Sequence, residues 1–162
     1  MANRDPVAKN AVEADRKRLA DFLPYQLSIT TNTVSNLIAE EYRSRFGLKI
    51  TEWRIMAVLG DLEQATQSEL VAATRMDKVA VNRACKALVE RKLIARAPHA
   101  SDGRSHQLVL TATGKDLYTE IMPLAEDMER RIFAVLSSEE AAQLGDMLTR
   151  LRQSSDNLRD GD

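Results

Sequence analysis

The sequence predicts a mainly α fold with a small β-wing, a winged helix-turn-helix core with further helices at both ends. Three observations predict it. From Thr66 to about Lys92 a short capped helix is followed by a turn and a second helix with a basic outer face. Two short strands come next, joined by a polar, arginine-bearing turn and ending at Thr111. Segments with apolar residues at helical spacing lie on both sides of this stretch.

The elements follow in order. A first helix is expected from about Asp21-Phe22-Leu23-Pro24 to Phe46, stopping before Gly47. Thr51 is placed to cap the next, which passes Trp53, Ala57 and Leu62. Thr66-Gln67-Ser68-Glu69 fits the capping-box pattern and opens a short helix through Leu70, Val71 and Ala73. After a turn at Thr74-Arg75-Met76, Asp77 stands where an N-cap is wanted, since its carboxylate can accept unpaired backbone N–H groups. The helix it opens runs to about Lys92. Val81, Ala84, Cys85, Leu88 and Val89 recur at i, i+3, i+4, i+7 and i+8, which makes one buried stripe. Leu93–Ala97 and Gln107–Leu110 read as partner strands, with turn formers from Pro98 to His106 between them. Thr111 then opens a long helix past Leu117, Ile121, Leu124, Met128, Ile132 and Val135, which Pro123 should bend. Ser137-Ser138-Glu139-Glu140 is a second capping box. The last helix carries Leu144, Met147, Leu148, Leu151 and Leu158 on one side.

The second helix of the core has an unusual outer face. Opposite the buried stripe lie Val79, Arg83, Lys86 and Glu90, flanked by Ala80 and Asn82. A solvated face seldom exposes Val79-Ala80 at its N-terminal end. A helix in a DNA major groove can use such residues against thymine methyl groups, and Asn82 and Arg83 against adenine and guanine edges. Lys78 and Lys86 suit phosphates. Arg104, near the tip of the turn, could enter a narrow minor groove. Asp102 could pair with Arg104 and fix its direction, or simply cap the turn. The plain alternatives are an amphipathic helix with solvated lysines and a solvated loop arginine.

Charge distribution favours the DNA reading. The net charge is only −1. Residues 75–104 carry eight Lys/Arg against three Asp/Glu, a local +5, and the remainder is −6. A basic patch on an acidic body is a nucleic-acid footprint.

Asp102-Gly103-Arg104, five residues, then Leu110-Thr111 and Gly114 resemble the D-x-R-x5-L-T-x-x-G wing signature of the MarR family of transcriptional regulators. Gln67-Ser68-Glu69-Leu70 resembles that family's helix-turn-helix entry. Met76 to Arg83 resembles its recognition helix, and Glu52-Trp53-Arg54 the start of the preceding helix. Leu88 to Ile94 resembles its L-x-x-x-G-L-I/V junction, with Lys92 in the place of glycine, which leaves the shape of that helix end open. The likeness spans about Leu19 to Arg152. It implies double-stranded DNA as partner, with Thr66, Gln67, Ser68, Lys78, Val79, Ala80, Asn82, Arg83, Lys86 and Arg104 in contact and Asp102 supporting the wing. It also implies a homodimer, built by the end helices, on a palindromic operator with recognition helices about 34–36 Å apart.

A ligand site is the least determined part. Seven of the nine residues from Ser28 to Asn36 are Ser, Thr or Asn, mediocre helix formers in mid-helix. They could line a polar cavity, or form a polar interface or a solvated face. The resemblance implies an effector bound between the dimer helices and the DNA-binding lobe. Ser28, Asn32, Trp53, Arg54 and Met56 are then the candidates, and a phenolic or aromatic acid, or its thioester, is the expected class. Arg54 could hold a carboxylate or serve a structural ion pair.

Other chemistry is poorly supported. The single Cys85 lies on the buried stripe, where a thiol acts as a small apolar group. His99 and His106 flank the wing with roles left open. Ser101, Asp102 and His106 share one turn and lack a base-orienting shell, so they make a poor catalytic set. No enzyme activity, metal or cofactor is expected. The sequence shows no signal peptide and no membrane-length apolar run, so a cytoplasmic location is expected.

The expected organisation is a flexible segment 1–18, a dimerisation and pocket helix 19–50, a winged helix-turn-helix lobe 51–111, and dimerisation helices 112–162. The expected function is a homodimeric repressor released from DNA by a small ligand. Its rivals are an effector-independent or architectural DNA-binding protein and, remotely, an enzyme using the interhelical pocket.

Overall fold

The computed structural model describes residues 18–98 and 106–161. The segment expected to be flexible lies outside them but for Arg18, as does the wing turn with His99, Asp102 and Arg104. The chain divides into two compact units, residues 1–50 and 51–162.

In the first unit a 3-10 turn, Leu19–Asp21, precedes helix α1, Leu23–Phe46. Pro24 sits in the first turn, where a missing N–H costs nothing. Gly47 ends the helix in the left-handed region, φ 61° and ψ 23°. Its N–H donates to the Arg43 carbonyl, and the Leu48 N–H donates to that of Tyr42. In the polar run, Ser28, Thr30, Thr31, Asn32, Thr33 and Asn36 are exposed. The Thr33 hydroxyl donates to the Ile29 carbonyl at 2.9 Å, which satisfies it locally.

Helix α2, Ile50–Leu62, leads into the second unit. It starts one residue before Thr51, so Thr51 lies in its first turn and does not cap it, contrary to the sequence reading. Strand β1, Gln64–Ala65, helix α3, Gln67–Thr74, and helix α4, Lys78–Glu90, follow. Strands β2, Ile94–Pro98, and β3, His106–Leu110, precede helices α5, Ala112–Ile132, and α6, Ser138–Asp160. The three strands form an antiparallel sheet in the order β1-β3-β2, with Ile94 opposite Leu110 and Ala65 opposite Leu108. Strand β1 has no sequence signature, because two residues cannot display alternation.

Both expected capping boxes form, at Thr66–Glu69 and Ser137–Glu140. Asp77 caps α4 by accepting the Ala80 N–H at 2.8 Å. The core of this unit includes Ile55, Met56, Leu59, Leu70, Val81, Leu88, Ile94 and Ile121, all buried. Helix α5 runs unbroken through Pro123 and ends at Ile132. A 3-10 turn, Phe133–Val135, then leaves Val135 at 85% exposure, so it does not extend the apolar stripe as expected.

The junction between α4 and the sheet is tightly determined. Lys92 takes φ 58°, in the left-handed region. Its N–H donates to the Val89 carbonyl, and the Leu93 N–H donates to that of Leu88, both at 2.9 Å. This is the Schellman ending usually made with glycine, so the lysine preserves the helix end at a cost of about 1 kcal/mol. The Thr111 hydroxyl donates to the Lys92 carbonyl at 2.7 Å, and the Thr111 N–H donates to that of Leu93 at 3.0 Å. The same hydroxyl accepts the Gly114 N–H at 3.0 Å, capping α5. A Cβ on Gly114 would lie 1.9 Å from the Leu93 carbonyl oxygen. Gly114→Ala should therefore destabilise the fold by about 3 kcal/mol, the upper range of overpacking penalties. Urea unfolding measures this, and a change within about 0.5 kcal/mol, the scale of ordinary surface substitutions, would contradict the close approach.

Candidate nucleic-acid interface

Helix α4 presents one outward face because its apolar residues occupy the other. Val81, Ala84, Cys85 and Leu88 are buried, while Lys78, Val79, Asn82, Arg83, Lys86 and Glu90 are exposed. Ala80 is half-buried. Val79 is 57% exposed, an apolar side chain at the helix's leading end. Val89 departs from the expected stripe: it is exposed and lines a cleft. Its neighbour Leu88 is fully buried, so the exposure of Val89 comes from its place round the helix, on the side of the cleft.

That cleft, of about 610 Å³, lies among the start of α3, the outer side of α4 and the sheet. It brings together Thr66, Gln67 and Ser68 with Asn82 and Lys86, and adds Arg96 and His106. Sequence reasoning counted Arg96 only in the basic balance and left His106 open. Their placement depends on strand register, which puts Arg96 opposite Leu108 and Pro98 opposite His106.

The candidate contacts differ in how free they are. The Thr66 hydroxyl is engaged in the capping box, accepting the Glu69 N–H at 3.2 Å and donating to a Glu69 carboxylate oxygen at 2.9 Å. Gln67 and Ser68 are exposed. The Gln67 side-chain amide donates to Asn82 Oδ1 at 3.4 Å, so these two act together. Lys86 lies 3.9 Å from Glu90, an exposed i, i+4 pair worth little in water. Arg75 is held by both carboxylate oxygens of Asp156, at 2.8 and 2.9 Å.

Cys85 behaves as a core atom. It is 3% exposed, and burial pushes its thiol pKa up, opposed more weakly by a Gln67 hydrogen bond and by Arg96. The thiol form therefore persists at neutral pH, and the thiolate needed for oxidation is scarce. Glu52, given no role in the sequence reading, is the one buried charged side chain among the described residues. Its carboxylate lies 3.5 Å from Arg91, just beyond α4.

The proposed effector residues lie elsewhere. Ser28 and Asn32 are exposed on α1. On α2, Trp53 and Arg54 are half-buried and Met56 is fully buried. Trp53 stacks on Tyr118 of α5, with centroids 5.8 Å apart and planes inclined at 21°. None of the five lines the cleft beside α4. Among the described residues no group of side chains could hold a metal ion, and no helix is long and apolar enough to cross a membrane.

Comparison with known proteins places this geometry. Residues 46–105 match the model of the MarR family. No curated protein matches. The chain is similar to a MarR/EmrR family transcriptional regulator from Acinetobacter sp. ADP1, at 28% identity and a TM-score of 0.81, covering 87% of this chain and 99% of that one. It is similar to a probable transcriptional regulator from Pseudomonas aeruginosa, at 28% identity and a TM-score of 0.75, covering 83% and 99%. A MarR family transcriptional regulator from Silicibacter pomeroyi DSS matches at 26% identity and a TM-score of 0.74, covering 85% and 91%. The family model falls on the stretch that holds the helix-turn-helix, and the likeness to solved MarR-type regulators extends over most of the chain.

Proposed function

We propose that the protein is a homodimeric, sequence-specific DNA-binding transcriptional regulator, acting as a repressor that a small ligand releases from a palindromic operator. The observation that carries this reading is the outward face of α4. Val79, Asn82 and Arg83 stand exposed beside Gln67 and Ser68, next to a cleft with Lys86 and Arg96. In a major groove, Val79 and Ala80 meet thymine methyl groups, and Asn82 and Arg83 meet base edges. Lys78 and Lys86 meet phosphates, the latter exchanging Glu90 for the backbone. Arg104, with Asp102 two residues before it in the sequence, is assigned to the adjoining minor groove. The regulators named above share the fold over most of its length, which supports the same role here.

Dimerisation is supported by α6, whose Met147, Leu151 and Leu158 are 49%, 54% and 74% exposed on one side. A second copy would cover such a stripe. Ligand control then follows as a population shift. A ligand that prefers a spacing other than that of two successive major grooves weakens DNA binding by its differential affinity for the two states.

The first test is a fluorescence-anisotropy titration on DNA from upstream of the protein's own gene, with excess unrelated duplex as competitor. Saturation at two subunits per site that survives the competitor is expected. Complete loss to the competitor on this DNA and on a site selected from random duplexes would favour an architectural protein that holds only the backbone. On a selected site, Arg83→Ala should cost about 1–3 kcal/mol at one base pair per half-site, and Arg104→Ala should reduce the preference for A·T-rich flanks. An unchanged base preference in either variant removes that residue from readout.

We assign the effector to the class of phenolic or aromatic acids and their thioesters, with Arg54 and Trp53 as the residues on α2 that recognise it. A guanidinium suits a carboxylate, and an indole face suits an aromatic ring. Met56 is too buried to touch a ligand. Calorimetry with 4-hydroxybenzoate is expected to give binding in the wild type that Arg54→Ala weakens by about tenfold, the value of one charge-assisted hydrogen bond. Equal binding in both proteins would make Arg54 a structural residue.

A further inference from the structure

We propose that Arg75 and Asp156 form a positioning pair through which α6 sets the distance between recognition helices, and so the half-site spacing that the protein accepts on DNA. The inference rests on the reading of the protein as a dimeric DNA-binding regulator. It starts from a residue in an unexpected conformation. Arg75 ends α3 at φ 55° and ψ 19°, in the left-handed region. That position favours glycine, and a side chain there is uncommon. Here the side chain has a use: its two terminal nitrogens donate to the two Asp156 oxygens at 2.9 and 2.8 Å, across a separation of 81 residues. A bidentate guanidinium–carboxylate pair fixes orientation as well as distance. Arg159 adds a third contact, 3.5 Å from the same carboxylate, and steadies it from the next turn of α6.

The position of the pair gives it leverage. Arg75 lies two residues before Asp77, the cap of α4. The grip is therefore on the turn between the two helices of the motif, at the entrance to the recognition helix. On α6, Asp156 is five residues beyond Leu151, which at 3.6 residues per turn is about 140° around the helix. One helix thus carries two faces. Leu144, Leu151 and Leu158 form the stripe that the proposed partner would cover, and Asp156 on the far side holds the helix-turn-helix turn. Any tilt of α6 against its partner is carried to the start of α4. The pair is partly exposed, with side-chain exposures of 55% and 33%. Exposed ion pairs contribute little to folding stability, so the main effect of this one is on position.

Arg75→Gly, Asp156→Asn and the double variant test this. Glycine suits the left-handed turn, and asparagine preserves the shape of Asp156, so all three should fold with melting temperatures near that of the wild type. A palindromic site is selected from a random duplex pool, and affinity is then measured as the half-sites are moved by single base pairs. The wild type should lose about tenfold per displaced base pair, a typical coupling between sites. Each single variant should lose only about threefold. The double variant should match the singles, because both substitutions break one contact. Variants with spacing profiles as steep as the wild type's, or a double variant with additive effects, would overturn the positioning role and leave the regulator reading intact. A wild type that selects no two-part site would overturn both.

Discussion

The short backbone segment at Lys92-Leu93 governs the arrangement of the DNA-binding unit. There the chain leaves α4, reverses through a left-handed residue, and enters the sheet. The two carbonyls exposed by that reversal are taken by Thr111, and the first turn of α5 packs onto them so closely that only glycine fits at position 114. Three elements thus meet at one small set of backbone hydrogen bonds. Buried, unpaired carbonyls would cost about 1–3 kcal/mol each, so the junction holds together or fails as a unit. The aim of the wing relative to the recognition helix is a consequence of this junction. Leu88 and Leu93, both buried, supply the apolar contact that normally accompanies such an ending.

The surface that this junction presents is only weakly charged as a whole and strongly charged in one place. Two cations of the basic segment already have closer protein partners: Arg75 with Asp156 and Arg91 with Glu52. The number of charges available to phosphates is therefore smaller than the sequence balance suggests. Nonspecific affinity scales with the phosphates neutralised. On the proposed reading, a modest count leaves more of the discrimination to Val79, Asn82 and Arg83. The pairing of Asn82 with Gln67 works in the same direction, because an amide held by a neighbour loses less freedom on meeting a base.

Much of this was legible in the sequence where a short-range rule applied. The caps at Thr66, Asp77, Thr111 and Ser137 are local contests for backbone N–H groups, and each residue wins its own. The limits of α1 follow from Pro24 and Gly47 in the same way. Longer-range features were hidden. Strand β1 exists because β3 offers it an edge, which Gln64-Ala65 cannot signal. Val89 and Val135 continue helical patterns on paper, but Val89 faces the cleft and Val135 lies in the 3-10 turn past α5. Arg96 and His106 reach the cleft only through strand register. Lys92 shows the reverse case. A residue that breaks the sequence pattern still adopts the backbone shape, because Thr111 and the packing around Leu93 impose it.

The recognition helix is tied at both ends to helices outside the helix-turn-helix. At its entrance the Arg75–Asp156 pair joins the turn to α6, and just past its exit Arg91 meets the buried Glu52 of α2. The two ties differ in character. Glu52 is withdrawn from solvent, so the inner tie lies where an ion pair is little screened. The outer tie is more exposed, and it fixes the geometry of the turn more than it adds stability. The entrance carries Val79 and is followed by Asn82 and Arg83, so the outer tie acts at the end of the helix that bears the proposed base contacts.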